Sequence, residues 1–598
     1  MKGFSFLKKV LPFLAISLIS LWSCQKSIDD FGISGDQIPD LTTKVNASVS
    51  GFVTDENNTA MSGATVTVGT RTTTTDQYGY FQVKNVDVVK TAAVVTVSKS
   101  GYFHGIKTFI AAENKTAFFR IKMIAKTTSG SINASSGGNV TLTNGMIVAL
   151  PSNAVVNAAT GVTYNGMITV AAYWINPTSQ YVNAEMPGDL RGLNTEGAIK
   201  ALQSFGMVAV ELTGASGELL QIASGQKATV TFPIPTSLTA TAPAEIPLWY
   251  FDEAIGLWKE EGLATKNGNN YVGEVSHFSF WNCDVPNNYV QFDCTILDAD
   301  NTPIPYAVVR ITDLSNPYNS RVGFTDSTGY VAGAVPDNAN LKMEVFTYQA
   351  CTSAAYSQNF TTASSPVSLG NIVIPNTALN QAAVSGTVTD CNNNPVTSGS
   401  IIVLKDNQYF RYGINSNGTY SFSSLLCSGP TTVTLIATDA VTAQQSSPVT
   451  ATFANGPVTI PNIQACGIST NQFLNYTING TSYAYSSPVD TFYMTYNTQT
   501  TPSQIIVSAE QLWGGGQNGS NGTLGFDATG IAVGSTQAFN FFYCSQVSDT
   551  FAIVPPFNVN ITEYGNIGEF IAGDFSGMMN GVSTTYVVSG NFRVRRRQ

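Results

Sequence analysis

Val49-Ser50-Gly51-Phe52-Val53-Thr54-Asp55 is followed by Ser62-Gly63-Ala64-Thr65-Val66-Thr67-Val68 and then by Thr75-Asp76-Gln77-Tyr78-Gly79-Tyr80-Phe81. Apolar and polar residues alternate in each piece, the period-two signature of a half-buried strand. Asp55 ends the first strand, and the polar residues after it reverse the chain. Asp76 with Gly79 marks a second tight reversal into an aromatic strand. The same order returns later in the chain. Val384-Ser385-Gly386-Thr387-Val388-Thr389-Asp390 leads to Asn392-Asn393-Asn394-Pro395-Val396, then to Gly399–Leu404 and Asn415–Phe422. A more worn copy runs from Cys294-Thr295-Ile296-Leu297-Asp298 through Ala307–Ile311 to Thr325–Tyr330. Strands that reverse at recurring intervals predict an all-β chain built from repeated sandwiches.

These units resemble the carboxypeptidase regulatory-like domain, a small transthyretin-like sandwich related in style to Ig-like modules. The pieces Gly-x-Val-x-Asp and Asp-x-x-Gly-x-aromatic carry the resemblance. It spans residues 45–125, 287–376 and 381–466. It implies scaffold and interaction modules, and it brings no catalytic residue with it.

Composition agrees. The chain has 598 residues, too many for one core, and at roughly 100–150 residues per domain four to six domains are expected. Only 11% of residues are charged, while 43% are hydrophobic. The surface must therefore be built from Thr, Ser, Asn, Gln and Gly, which suit pleated faces and turns. A net charge of −10 argues against a nucleic-acid partner, which needs a basic footprint.

The block 128–283 differs from the repeats. It contains Phe205–Leu212, the hairpin Ile246–Trp258 and a closing Glu274-Val275-Ser276-His277-Phe278-Ser279-Phe280-Trp281. Its run of signals resembles the ZU5-type sandwich. In some such proteins a His-Phe-Ser step cuts itself: the serine hydroxyl attacks the preceding carbonyl while a base takes its proton. His277 and Ser279 are the autoproteolysis candidates by that resemblance. The plainer expectation is that His277 packs in the last strand and Phe278, Phe280 and Trp281 fill the core edge. Residues 467–598 lack the repeat and are expected to form a C-terminal β-domain.

The first residues form a targeting segment. Lys2, Lys8 and Lys9 precede an apolar run, Val10–Trp22, too short for a comfortable membrane span. Leu21-Trp22-Ser23-Cys24 resembles a bacterial lipoprotein signal, which implies cleavage after residue 23 and acylation of Cys24. Stable anchoring takes more than one acyl chain. The tether 24–44 begins Gln25-Lys26-Ser27-Ile28-Asp29-Asp30 and resembles the acidic tethers that send lipoproteins of the Bacteroidota to the cell surface. An outer-membrane, outward-facing location is the expectation.

Seven further cysteines are widely spaced without a Cys-x-x-Cys pair, which argues against zinc. An exported protein can form disulfides. Spacing does not dictate connectivity. Pairing inside single units, Cys294 with Cys351 and Cys391 with Cys427, is the expectation.

Other chemistry is thinly supplied. The only histidines are His104 and His277. No Ser-His-Asp set, no His-Glu-x-x-His and no paired carboxylate motif is present. Asp55, Asp76, Asp298, Asp326 and Asp390 lack calcium-loop spacing and read as turn formers. Trp513–Gly519 lacks the Gly-Lys-Ser/Thr ending of a phosphate loop. Trp174, Trp249, Trp258 and Trp513 could stack sugar rings, though strand placement assigns most aromatics to the core. Arg593–Arg597 reads as a solvated charged end. No cofactor or metal is implied. The sequence thus predicts a non-enzymatic, lipid-anchored surface scaffold or binding protein. Its partners are the membrane through Cys24 and a glycan or protein ligand. An accessory role in nutrient uptake and self-cleavage at Phe278-Ser279 are the alternatives.

Overall fold

The computed structural model describes residues 38–596 except 348–350, 376–378, 428, 487–490, 514–516, 546, 548–551, 566–569 and 583. The targeting segment, Cys24 and the first part of the tether lie outside the described residues. The chain is almost all β, arranged in several sandwiches. Among the described residues the only α-helix is the single turn Val182–Glu185.

The first unit stacks a three-stranded sheet on a four-stranded one. Lys44–Thr54 is central in the first sheet, antiparallel to Tyr80–Val89 and parallel to Thr116–Lys122. Thr65–Val68 lies between Arg71–Thr74 and Ala93–Ser98 in the second. The second unit repeats this plan around Tyr289–Asp298 and Val308–Asp313. The third enlarges it around Asn380–Thr389 and Gly399–Lys405, stacking a four-stranded sheet on a six-stranded one. Inward residues of both sheets, Val49, Val66, Phe81 and Val97 in the first unit, make one dry core per sandwich.

The repeated aspartates work as turn formers in the same way each time. Asp55 Oδ1 accepts the backbone N–H groups of Asn57 and Thr59, both at 2.8 Å. Asp298 does this for Asp300 and Thr302, and Asp390 for Asn392 and Asn394. The second reversal is fixed by glycine. Gly79, Gly329 and Gly418 have φ of 73°, 75° and 79°. A Cβ at Gly79 would stand 2.3 Å from the Val53 carbonyl oxygen, and one at Gly329 2.4 Å from that of Ile296. Only glycine combines that backbone with that approach.

The block between the first two units forms a thirteen-stranded sheet system around the long strand Ile199–Thr213. Trp281, Phe205 and Tyr271 fill its larger core. The last unit is a nine-stranded antiparallel sheet in which Phe473–Ile478 pairs with the final strand Thr585–Arg595, and its core includes Tyr476, Phe526 and Phe592.

Linear order does not give linear packing, because the first unit touches each of the other four. Its Phe103 and Ile106 join Trp249, Phe251 and Trp258 of the block in one apolar cluster. The Phe118 ring packs, tilted, 4.6 Å from that of Tyr306 in the second unit. Asp76 pairs with Arg411 of the third at 3.0 Å. Ser62 accepts a 2.7 Å hydrogen bond from Arg595 of the last.

The cysteines depart from the expected pairing. Cys351 of the second unit bonds Cys427 of the third, and Cys391 bonds Cys466 within the third. Cys294, expected to partner Cys351, is a buried free thiol in its own core. Its strand faces inward, and a side chain there packs among Val290, Ile296 and Val331. Arg593, at the start of the charged C-terminal end, is not solvated either, Arg595 and Arg596 are half-buried, and Arg597 lies outside the described residues. Arg593 is buried, pairs with Glu563 at 2.7 Å and lies 3.6 Å over the Phe570 ring.

Candidate functional site

His277 and Ser279 flank the start of the strand Phe280–Asn287. The His277 ring packs 4.7 Å from Tyr250 and 5.1 Å from Trp281. Burial lowers its pKa, opposed by the carboxylates of Glu261 and Asp252 and by a backbone hydrogen bond with Phe278. The Ser279 hydroxyl donates to the Phe280 carbonyl at 3.2 Å. The Phe278 peptide is clamped from both sides by one amide: Gln221 Oε1 accepts its N–H at 2.7 Å and Gln221 Nε2 donates to its carbonyl at 3.0 Å. That pair of bonds locks the closing strand to the strand Leu219–Ile222 and gives these residues a packing role.

His104 Nδ1 donates to Glu253 Oε2 at 2.8 Å, bridging the first unit and the block. Glu253 raises its pKa, chiefly through that hydrogen bond. Trp249 and Trp258 are fully buried, so neither offers a ring to a sugar. Trp174 is half-buried against the block's core. The strand holding Trp513 is described, its side chain is not.

Two arrangements escaped sequence reasoning. The first is a polar seam between the block and the second unit. Arg191 is buried, pairs with Asp189 at 2.7 Å and donates to the Thr91 carbonyl at 2.7 Å. Arg321 crosses from the second unit to donate to the Leu202 carbonyl at 2.8 Å. Asp284, fully buried beside them, accepts from Asn282 at 2.6 Å on one oxygen and has no hydrogen-bond partner on the other. Burial drives its pKa well up, against the opposing pull of Ser204 and Arg321.

The second is a bowl of about 800 Å³ at one end of the second sandwich. Three loop segments and an edge strand build it: the entry residues Asn287 and Asn288, the turn at Asp313–Ser315, the turn at Pro336–Asn340 and the strand Tyr356–Thr361. Its walls carry amides and two carboxylates, Asp313 and Asp337, with Leu314 and Phe360 among them. Asn319 lines the bowl at 6% exposure, and its side-chain oxygen has no hydrogen-bond partner. An unpartnered buried amide oxygen is uncommon and costly.

The fold defines a multi-domain β-sandwich protein. Residues 48–123 match the sequence model of the carboxypeptidase regulatory-like domain. A human protein, cartilage intermediate layer protein 2 (Homo sapiens), is 27% identical over 152 residues, covering 23% of this chain and 13% of that protein. Among solved structures, a streptococcal ancillary pilin is 12% identical, covering 38% of this chain and 96% of the pilin at a TM-score of 0.13. BcpA, the major pilin subunit of Bacillus cereus, is 10% identical, covering 71% of this chain and 100% of the pilin at a TM-score of 0.12.

Proposed function

We propose that this chain is a lipid-anchored, non-catalytic scaffold of the outer membrane, displayed at the cell surface, that holds a ligand-binding face away from the bilayer. The observation that carries the reading is the first unit's contact with all four others. Flexible beads would give reach without a fixed geometry. Aromatic, ionic and apolar contacts from one hub make a single body instead, and a rigid body is what positions loops for recognition. The hub follows directly on the tether, so an anchor at Cys24 would fasten the body at its centre. The Cys24 reading rests on Leu21-Trp22-Ser23-Cys24, and outward display on the acidic residues Asp29 and Asp30.

The test is cellular. Wild-type protein should incorporate labelled palmitate, partition with membranes and be removed by protease added to intact cells. Cys24→Ala should lose label and membrane association together. Membrane association that survives in Cys24→Ala would sink the anchor, and protection from external protease would sink the display.

A further inference from the structure

We infer that the bowl at the end of the second sandwich is a binding site for a neutral saccharide, an inference that deepens the scaffold reading by giving its binding face a place and a ligand class. The lining chemistry selects the ligand. Asparagine side chains each present a donor pair and an acceptor, which match hydroxyl groups that both donate and accept. Asn287, Asn288, Asn319, Asn338, Asn340 and Asn359 meet here; Asn287 spends a donor on the Val285 carbonyl, Asn288 its acceptor on Lys200 and Asn338 a donor on Asp337, which leaves Asn319, Asn340 and Asn359 with the remaining amide capacity to offer. No lysine, arginine or histidine lines the bowl, and the ammonium at its rim, Lys200, donates to Asn288 Oδ1 at 2.9 Å, so a phosphate or sulfate group would meet two lining carboxylates and no lining cation.

A cation is the competing occupant. Calcium asks for six to eight converging oxygens with substantial negative charge. The two carboxylates here are engaged in turn formation. Asp313 Oδ1 accepts the Ser315 N–H at 2.8 Å and its hydroxyl at 2.7 Å. Asp337 Oδ2 accepts from Asn338 at 3.0 Å. Among the described residues no group of three or more His, Cys, Asp or Glu side chains gathers anywhere to hold a metal.

Sugar rings also carry an apolar face. Leu314 is 48% exposed beside the bowl, and Phe360, held against Phe292 at 5.6 Å, offers a fixed aromatic edge. Asn319 supplies the independent sign of a missing partner. Its oxygen is shut away from water without a donor. The terminal torsion of asparagine is broad, so the amide can turn to meet a hydroxyl entering the bowl.

The test uses the mature full chain and calorimetry with neutral hexasaccharides of glucose, xylose and mannose. A heparin hexasaccharide and calcium chloride alone are the contrasting probes. At least one neutral hexasaccharide should bind saturably. Asn319→Ala should weaken it by about tenfold or more, because the polar partner is lost in a buried wall. Asn359→Ala is exposed on an edge strand, folds without difficulty and should weaken the same sugar severalfold. The inference is overturned if no neutral sugar binds, if binding ignores both variants, or if heparin or calcium alone saturates the bowl. Its failure leaves the Cys24 experiment untouched, since that reads anchoring and display without any ligand.

Discussion

Cys351 and Cys427 belong to different sandwiches, and the bond between them staples the second unit to the third. The staple lies within a shared core. Val308 and Phe346 of the second unit pack with Leu426 and Val433 of the third, and Leu425 of the third packs into the second. The two sandwiches therefore behave as one folding unit with a covalent lock.

Removing that lock should separate them. With a sequence separation of 76, chain-entropy arithmetic puts the loss at roughly 4.5 kcal/mol. The double variant Cys351→Ser/Cys427→Ser should melt lower and be cut between the two units by dilute protease. The Cys391→Ser/Cys466→Ser variant should instead loosen the third unit alone. Equal, unaltered protease resistance in the first variant would show that the apolar contact suffices.

That pairing marks where the sequence stops being legible. The turns were readable because Asp55, Asp298 and Asp390 act on backbone groups two and four residues away, a local job with a fixed spacing. The sandwich plan followed from those turns and from alternation. Cross-unit relations leave no such trace. Phe118 and Arg120 sit at outward strand positions and Tyr306 in a turn, where the pattern implies solvent, and they are covered only because another sandwich packs over them. The bowl was hidden for the opposite reason: its asparagines are ordinary turn formers one by one, and only the fold gathers them.

Arg120 shows what the hidden seam holds. Its guanidinium lies 4.8 Å over Phe410, 5.2 Å over Phe52 and 5.7 Å over Phe118, and donates to the Tyr409 carbonyl at 3.1 Å. Burial lowers its pKa to about 10. Arg120→Ala removes the cation–aromatic contacts, leaves a cavity and strands a carbonyl, at a cost of about 2–4 kcal/mol. Arg120→Met keeps most of the volume and should cost less. Amide exchange in the strand Gln408–Gly413 should accelerate in the alanine variant, and an unchanged rate there would show that this arginine does not join the units.

Asp284 is a buried acid whose pKa is raised, mainly by burial. The folded chain therefore keeps a proton that the unfolded chain has lost above its ordinary value of 3.8. Stability from this group is full below that value and falls as pH climbs toward the folded pKa. Asp284→Asn is neutral at every pH and keeps an acceptor for Asn282. The variant should be more stable than wild type at pH 7, and the difference should vanish near pH 3.5. A destabilised variant at pH 7 would mean that the ionised carboxylate is what holds Arg321.

Lys107 gives the opposite slope. It lies buried where the first unit meets the block and donates to the carbonyls of Asn183 at 2.8 Å and Met186 at 2.6 Å. Burial lowers its pKa from 10.5 to about 7, although Glu185 and Asp189 pull upward. Between those two values the unfolded chain holds a proton that the folded one has released, so the seam gains stability as pH rises. From pH 7 to pH 9 the gain is roughly 2 kcal/mol at 1.36 kcal/mol per unit. It should be visible as slower exchange, corrected for intrinsic rate, in the strand Gly105–Phe109. Lys107→Met has no proton to release and should show a flat profile over the same window. If wild type and variant run parallel, the ammonium stays charged in the folded protein, and the two carbonyls with the nearby carboxylates outweigh its burial.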